Sequence, residues 1–214
     1  MVQKRSLICS QEQLEQALAG LGEADQELLK RLGIFTELLD KWSRAQRLVG
    51  WRDAESLLHE GLLDAWAAVP LLDQSSPRPV IDLGSGAGLP GLIFAAARPS
   101  REFHLIEARR KRASFLTAAA RAMGLEQVQV HRARWEQLFE EGKVPLRGLV
   151  TARAFAPPAA VLGAATRLQA QQVLLSVATQ AQPPASVGNW SEVARRPGAP
   201  SDRRVHMLLG ILGA

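Results

Sequence analysis

The chain is poor in cysteine and histidine, and this shortage excludes several kinds of site. Its 214 residues include one cysteine, Cys9, which leaves no disulfide framework and no thiolate metal centre. The four histidines are scattered along the chain, without a pair at helical or turn spacing. A metal hydrolase needs such a pair, so we expect no metal.

Long apolar runs are also missing. No stretch has the length needed to cross a bilayer, and the apolar patch near the N-terminus is too short for a signal peptide. We therefore expect a cytoplasmic protein that does not bind a membrane.

Positive charge is in excess, with a formal net charge of +5. Such a balance fits a polyanionic partner, although a GC-rich genome also raises the arginine content. The position of the charge favours a partner, because much of it falls in one acid-poor span that starts just after a glycine-rich loop. We expect this span to surround a ligand site: Arg98, Arg101, Arg109, Arg110, Lys111, Arg112, Arg121, Arg132 and Arg134.

The glycine-rich loop is the most informative motif. It follows a short apolar strand, 80–83, and its glycines alternate: Gly84, Gly86 and Gly88. Glycine is needed where the backbone turns sharply and a ligand touches it. A dinucleotide loop would have its third glycine at the position of Leu89. The alternating form, preceded by Asp82, is typical of S-adenosylmethionine sites. A second strand ends about 20 residues later in Glu107, where a ribose would be bound.

The hydrophobic pattern predicts two parts. Residues 1–72 predict an N-terminal helical segment that packs on the core, with one helix capped by Asp53. Residues 80–214 predict an α/β domain of Rossmann-like class, with a mostly parallel, doubly wound sheet and an antiparallel last strand. Together with the glycine-rich loop, we expect this to be an S-adenosylmethionine-binding methyltransferase domain. Strands are expected at 80–83, 103–106, 127–131, 148–152 and 173–178, helices at 89–97, 109–123 and 157–168, and a closing antiparallel pair at 190–195 and 205–209.

The residues present also restrict which kinds of atom could accept a methyl group from S-adenosylmethionine. Methylation of a pyrimidine carbon needs a cysteine nucleophile, and Cys9 is far in sequence from any strand end. Amino-group methyltransferases have an Asn/Asp-Pro-Pro-aromatic motif after the fourth strand, which the segment 153–159 lacks; the chain has no tyrosine at all. N7 of guanine carries a lone pair and no proton, so transfer to it needs alignment and charge control only.

Several motifs occur in the order of a known family: Asp82-Leu-Gly-Ser-Gly-Ala-Gly-Leu-Pro-Gly91, Glu107 with Lys111-Arg112-x-x-Phe115-Leu116, Arg134-x-Glu136, and Thr151-Ala-Arg153-Ala-Phe155-Ala156. With them the chain resembles the bacterial RsmG family, also called glucose-inhibited division protein B. Its members methylate N7 of a guanine in 16S rRNA with S-adenosylmethionine. The resemblance implies this activity and this cofactor, with 16S rRNA or the small ribosomal subunit as partner. We expect a monomer.

The resemblance also implies roles for individual residues. Those expected to bind the cofactor are Asp82, Gly84, Ser85, Gly86, Gly88, Leu89, Glu107, Trp135, Glu136 and Arg153. Glu107 would hold the ribose, while Trp135 and Glu136 would border the adenine; alternatively, Trp135 is a core residue. Arg153 is the catalytic candidate, in contact with the cofactor, the guanine or its phosphate, unless it is a surface residue paired with a carboxylate.

A basic run at a helix start is expected to bind RNA phosphates: Arg109, Arg110, Lys111 and Arg112. Cations at that end oppose the helix dipole, which points to a purpose other than helix stability.

The chain departs from the family pattern at several positions, and four of these departures leave alternatives open. Ser43, Gly61, Ala65 and Thr179 stand where the family has asparagine, histidine, serine and lysine. One alternative is a catalytically impaired or repurposed paralogue that binds S-adenosylmethionine and RNA. Another is a methyltransferase with a different substrate, such as a small metabolite. A dehydrogenase fits least well, because of Leu89.

Overall fold

The chain begins with helices and changes at residue 80 to alternating strands and helices, as the sequence predicts. A computed structural model gives the structure of residues 6–19, 25–46, 48–179, 186–198 and 204–211, to which this description is confined. The predicted segments 1–72 and 80–214 therefore extend beyond the described residues at both ends of the chain. Within those residues, no helix is long and apolar enough to cross a membrane.

The first two helices pack against the rest of the molecule. They are α1 (Gln11–Leu18) and α2 (Gln26–Gln46). The apolar stripe of α2 is buried, and the ring of Phe35 meets the ring of Phe115 edge-on, with 6.2 Å between the centroids. Trp42 meets the same ring at 5.9 Å. These contacts place α2 in one apolar cluster with residues of the sheet.

The next helical stretch is irregular, where the sequence predicts a regular helix. Its elements are α3 (Ala54–Leu57), a π-helical turn (Leu58–Leu63), α4 (Asp64–Ala67) and α5 (Val69–Gln74). Asp53 caps the start as predicted, and its Oδ1 accepts a hydrogen bond from the Ser56 N–H at 2.8 Å. The π turn widens the helix just before Asp64, and such turns are frequent at functional sites.

The sheet has the predicted topology. Five parallel strands are β1 (Val80–Leu83), β2 (Phe103–Ile106), β3 (Val128–His131), β4 (Leu149–Arg153) and β5 (Gln172–Ala178). The remaining strands are β6 (Ser186–Val187), β7 (Trp190–Pro197) and β8 (Arg204–Ile211). The order is β3-β2-β1-β4-β5-β8-β7-β6, and β8 pairs antiparallel with both β5 and β7. The antiparallel last strand and the predicted closing pair are thus confirmed.

Helices cover both faces of this sheet. They are α6 (Gly91–Ala97), α7 (Arg110–Ala122), α8 (Trp135–Glu140) and α9 (Pro158–Arg167). The sequence predicts three of them, but it does not predict α8, because six residues are too few for a periodic signal. Val80 and Ile81 belong to different apolar clusters, as expected for a strand buried on both faces.

Candidate functional site

A cavity of about 370 Å³ opens at the carboxyl ends of the parallel strands. Ligands of open α/β sheets bind at this edge, where the register pairs Leu83 with Ile106 and Asp82 with Thr151. Residues that follow β1, β2, β3 and β4 contribute to the wall. The lining includes Gly84, Glu107, Arg109, Arg112, Arg134, Trp135, Glu136, Ala154 and Phe155.

The glycine loop forms one side of the cavity. Gly84 has φ +68°, in the left-handed region, and a Cβ there would lie 2.3 Å from Cδ2 of Phe155. Only glycine meets both demands without strain. The Ser85 hydroxyl donates to the carbonyl of Asp82 at 3.0 Å, and the Ser85 N–H donates to the carbonyl of Ile106 at 3.1 Å. The loop is therefore fixed to both neighbouring strands.

The carboxylate of Glu107 connects this loop to α7. It is buried in the cavity wall, where Oε2 accepts from the Gly86 N–H at 3.1 Å and Oε1 accepts from the Arg109 N–H at 2.8 Å. The structure thus brings together a carboxylate and a glycine backbone that are more than twenty residues apart. This is the neighbourhood that the sequence predicts for a ribose site.

Asp82 lies beneath the loop and does not line the cavity. Burial, with a smaller contribution from the nearby negative charge of Glu107, raises the pKa of its carboxyl to about 7. Hydrogen bonding by Ser85 and the Gly91 N–H opposes this shift but does not cancel it. A Cβ at Gly91 would lie 2.5 Å from Oδ2 of Asp82, so the helix α6 starts on a glycine that makes room for the carboxyl.

The guanidinium of Arg153 is held by the helical segment and is not among the cavity-lining groups. Its Nε lies 3.2 Å from Oδ2 of Asp64, and it also donates to the carbonyl of Glu60. The ring of Trp51 lies 5.8 Å from the guanidinium carbon. Of our two interpretations of Arg153, the structure shows the carboxylate pair, but the pair is buried and not on the surface. Its place beside the transferred methyl group stays a prediction.

Asp64 has further partners on the sheet. Oδ1 lies 3.1 Å from Nε2 of His206, and Oδ2 lies 3.9 Å from Nε of Arg204. Nδ1 of His206 in turn lies 2.8 Å from Oγ of Ser176. Asp64 and His206 are completely buried. Ser176 is buried too, so a substrate could not reach its hydroxyl and the three residues do not form a hydrolytic serine–histidine–aspartate site. The cluster instead connects the helical segment with strands β4, β5 and β8.

The predicted adenine-binding pair stands at the start of α8. Both Trp135 and Glu136 line the cavity. Trp135 also packs against the second apolar cluster, and the Arg167 guanidinium carbon lies 5.0 Å from its ring centroid. The two interpretations of Trp135, core residue and cavity wall, therefore describe different sides of one side chain.

The basic run lies beside the cavity mouth. Arg109, Arg110 and Lys111 are exposed, and Arg109 and Arg112 line the cavity. The ion pairs found within the described ranges include none of these four cations. Positive charge is thus left available at this edge of the sheet.

The wider arginine span does not surround the cavity, and this expectation was wrong for three of its members. Arg98 pairs with Asp73, while Arg101 donates to the backbone carbonyls of Leu72 in α5 and of Ser76 and Arg78 in the linker before β1. Arg121 lies in the last turn of α7, away from the cavity. Closeness in sequence could not reveal this. Strand β2 and helix α7 separate these three residues from the basic run, which lies at the opposite end of the sheet.

Three of the four departures from the family pattern lie inside the helical segment. Gly61 is buried, and a Cβ there would lie 3.1–3.3 Å from Leu57, Leu89 and Trp51, which leaves no room for a histidine. Ala65 is buried as well, and Ser43 is half-buried, whereas Thr179 at the end of β5 is exposed. Leu89 of the glycine loop therefore packs directly on the π turn.

No cluster of three or more His, Cys, Asp or Glu side chains that could hold a metal ion occurs within the part of the chain described here.

Comparison with known proteins identifies relatives of this chain. The family model described as rRNA small subunit methyltransferase G matches residues 28–181. The ribosomal RNA small subunit methyltransferase G of Granulibacter bethesdensis is 41% identical over 150 residues, which cover 70% of this chain and 67% of the relative. The protein of the same name from Halorhodospira halophila is 40% identical over 65% of this chain and 64% of its own length. The chain thus spans about two thirds of these relatives.

Solved structures show the same fold at low sequence identity. A putative O-methyltransferase from Klebsiella pneumoniae aligns with a TM-score of 0.61 at 14% identity, over 93% of this chain and 96% of its own. The O-methyltransferase TomG from Streptomyces achromogenes, solved with SAM, aligns with a TM-score of 0.55 at 17% identity, over 92% and 94%. These similarities support the predicted Rossmann-like methyltransferase fold.

The Asp64 cluster predicts that replacing Asp64 by alanine costs much more stability than the same change at Asp73. Asp64→Ala leaves the buried Arg153 and His206 without their carboxylate and should lower the free energy of unfolding by about 3–5 kcal/mol. Asp73→Ala removes a pair with Arg98 that is 39–44% exposed, and it should cost less than about 1 kcal/mol. Urea denaturation at one pH measures both, and equal losses would contradict the structural role of the cluster.

The raised pKa of Asp82 predicts a pH dependence. The folded protein keeps this proton up to about pH 7, whereas the unfolded carboxyl loses it near its ordinary pKa of 3.8. Since the unfolded state binds fewer protons between these values, the stability falls as the pH rises, by up to about 1.4 kcal/mol per pH unit. The stability that the protonated Asp82 carboxyl contributes is therefore complete below pH 4 and lost above pH 7.

Asp82→Asn has no proton to lose and provides the comparison. The unfolding free energy of the wild type minus that of Asp82→Asn should decrease from pH 5 to pH 7, as measured by urea titration at each pH. A constant difference would mean that the Asp82 carboxyl is ionised in the folded protein throughout this range.

Proposed function

The chain belongs to the rRNA small subunit methyltransferase G family, and from this we propose that it methylates N7 of a guanine in small-subunit (16S) rRNA with S-adenosylmethionine. The observation that carries the proposal is the strand-end cavity. It places Gly84, Glu107, Trp135 and Glu136 in one wall and the basic run at its mouth.

The cavity fits the cofactor. The ribose of S-adenosylmethionine has two hydroxyls, and the buried carboxylate of Glu107 would accept hydrogen bonds from them. Its adenine needs a flat apolar neighbour and an acceptor for the amino group, for which Trp135 and Glu136 serve. A Cβ at Gly86 would meet no atom closer than 3.6 Å, so the loop has an open side. We propose that Asp82, Ser85, Gly88 and Leu89 shape this loop from below. When bound, S-adenosylmethionine supplies an electrophilic methyl group on a sulfonium.

The protein's own residues have a limited task in this reaction. Because N7 has no proton to lose, no side chain has to act as a general base, and alignment of the reactants is sufficient. The catalytic candidate Arg153 would contribute by position: its buried pair with Asp64 fixes the end of β4, from which Ala154 and Phe155 enter the cavity wall. Arg109, Arg110, Lys111 and Arg112 would hold RNA phosphates, which gives affinity without sequence specificity.

The remaining expectations form part of the same proposal. Residues 1–72 would act as a helical segment packed on the methyltransferase domain, 80–214. The partner would be 16S rRNA or the small ribosomal subunit, and the protein would work as a cytoplasmic monomer without a metal and without a membrane.

Label transfer tests the proposal. The wild-type protein, incubated with methyl-labelled S-adenosylmethionine and unmethylated 16S rRNA or small subunits, should label the RNA. Gly86→Asp should abolish cofactor binding, measured by calorimetry, and label transfer with it, because the new side chain would occupy the open side of the loop.

The matched control for that variant is Gly124→Asp. Gly124 has the same left-handed backbone, with φ +66° and nothing within 4 Å of an added Cβ, but it lies at the far end of α7. It should keep cofactor binding and label transfer. Cofactor binding by the wild type without transfer to any RNA would sink the proposed activity, and normal binding by Gly86→Asp would refute the placement of the loop.

The basic run predicts a salt dependence of RNA binding. Each of Arg110→Ala and Lys111→Ala should weaken binding of 16S rRNA and reduce the slope of log K against log salt by about 0.7–1. Arg121→Ala, at the other end of the same helix, should leave the slope unchanged. Filter binding between 50 and 200 mM salt measures this (roughly the range where phosphate contacts are most visible), and an equal effect of Arg121→Ala would argue for a diffuse charge effect.

A further inference from the structure

Phe155 is an aromatic side chain left exposed in the cavity wall. It is 39% exposed, although it is large and apolar. The other aromatic residue of the wall is Trp135, whose ring is engaged by Arg167 and by the apolar cluster beneath it. A single exposed apolar side chain needs no explanation by itself. The conformation of the backbone around Phe155 shows whether its exposure has a purpose.

The residue before Phe155 adopts an unusual backbone conformation that places the ring there. Ala154 has φ +52°, a left-handed conformation that is costly for a residue with a side chain and that is enriched at functional sites. On one side of Ala154, Arg153 is anchored by Asp64. On the other side, the ring of Phe155 lies against Gly84, where a Cβ would come within 2.3 Å of it. The left-handed turn thus directs the ring to the glycine loop and away from the apolar core.

The reaction needs such a surface. A base in structured RNA must leave its stack before its edge can be reached, and proteins receive it on aromatic rings. As the bond between N7 and the methyl carbon forms, the bond from that carbon to the donor's sulfur breaks, and the positive charge passes from sulfur to the base. The cavity wall holds three cations, Arg109, Arg112 and Arg134, against two carboxylates, Glu107 and Glu136, so an excess of positive charge faces the base. The face of an aromatic ring attracts a cationic base in these surroundings.

We propose that Phe155 is the surface on which the target guanine stacks, and that its ring stabilises the base as the base becomes cationic. The inference rests on the proposed function and adds the residue that contacts the acceptor. Phenylalanine suits this place because its ring brings no hydrogen-bonding group that would compete for the edge of the guanine.

Substitution of Phe155 separates the effect of the aromatic π face on the rate from the effect of apolar bulk. Phe155→Leu keeps an apolar side chain against Gly84 and removes the π face, so its kcat/KM for 16S rRNA should fall about 5- to 150-fold, the range of base–aromatic stacking. Phe155→Trp and Phe155→Tyr should restore most of the rate. The Kd for S-adenosylmethionine should stay within about twofold in all three variants, because we assign the ring to the base and not to the cofactor.

The control is Phe139→Leu on α8, which loses a ring that lies beside Arg167 and outside the cavity wall. It should methylate like the wild type. Wild-type kcat/KM in Phe155→Leu, or a loss of cofactor affinity as large as the loss of rate, would overturn the assignment of Phe155 to the base.

A binding measurement tests the ring without methyl transfer. With S-adenosylhomocysteine present, ligand-observed NMR should show that the wild type binds 7-methylguanosine 5′-monophosphate more tightly than guanosine 5′-monophosphate. Phe155→Leu should lose this preference. Equal binding of the two nucleotides by the wild type would overturn the charge stabilisation.

The two measurements distinguish the ways of failing. A wild type that methylates no RNA but shows a Phe155-dependent preference for the methylated nucleotide refutes the proposed activity and supports the stacking surface. A wild type that methylates RNA, with Phe155→Leu unchanged, refutes the stacking surface and supports the activity. A wild type that neither methylates RNA nor binds either nucleotide refutes both.

Discussion

The buried carboxylate of Asp64 is the contact on which the arrangement of the site depends. A carboxylate without access to water is stable in a protein only if charges of opposite sign and hydrogen-bond donors surround it. Arg153 and Arg204 bring guanidinium nitrogens to 3.2 Å and 3.9 Å from its Oδ2, and Nε2 of His206 lies 3.1 Å from its Oδ1. The helical segment is thereby attached to the ends of β4 and β8 by electrostatics as well as by apolar packing. Since Arg153 is the last residue of β4, this attachment also sets the course of the chain into the cavity wall.

The glycine loop is fixed by the same packing from the other side. Leu89 of the loop touches the bare Gly61 of the π turn, and Gly84 touches the ring that follows Arg153. The loop therefore lies between two segments that Asp64 and Arg153 connect. A chain with a histidine at position 61 would need a different arrangement of Trp51 and Leu89. In this chain these two side chains pack against Gly61 instead. The carbonyl of the neighbouring Glu60 still accepts a hydrogen bond from Arg153.

The features that the sequence predicts well are local. Short apolar runs bounded by turn residues give β1 and β2 at their observed limits, and the alternating glycines give the loop without any knowledge of the rest. Glu107 follows from its spacing to the loop. The features that it does not predict depend on contacts between distant residues: Asp64 meets His206 across more than a hundred positions, and the side chain of Arg153 turns towards that pair. The short α8 and the π turn lack a periodic signal, and Phe155 stands out only once its exposure and its left-handed neighbour are known.

We propose that this cavity delivers a methyl group to an atom that needs no deprotonation. The position of the methyl group in the product tests it most directly. N7-methylguanine makes RNA sensitive to cleavage after reduction with borohydride and treatment with aniline, whereas methylation of an exocyclic amino group or of a ring carbon does not. We predict that 16S rRNA treated with the wild-type protein and S-adenosylmethionine is cleaved at a guanine and that untreated rRNA is not. Incorporated methyl groups without such a cleavage would contradict the account.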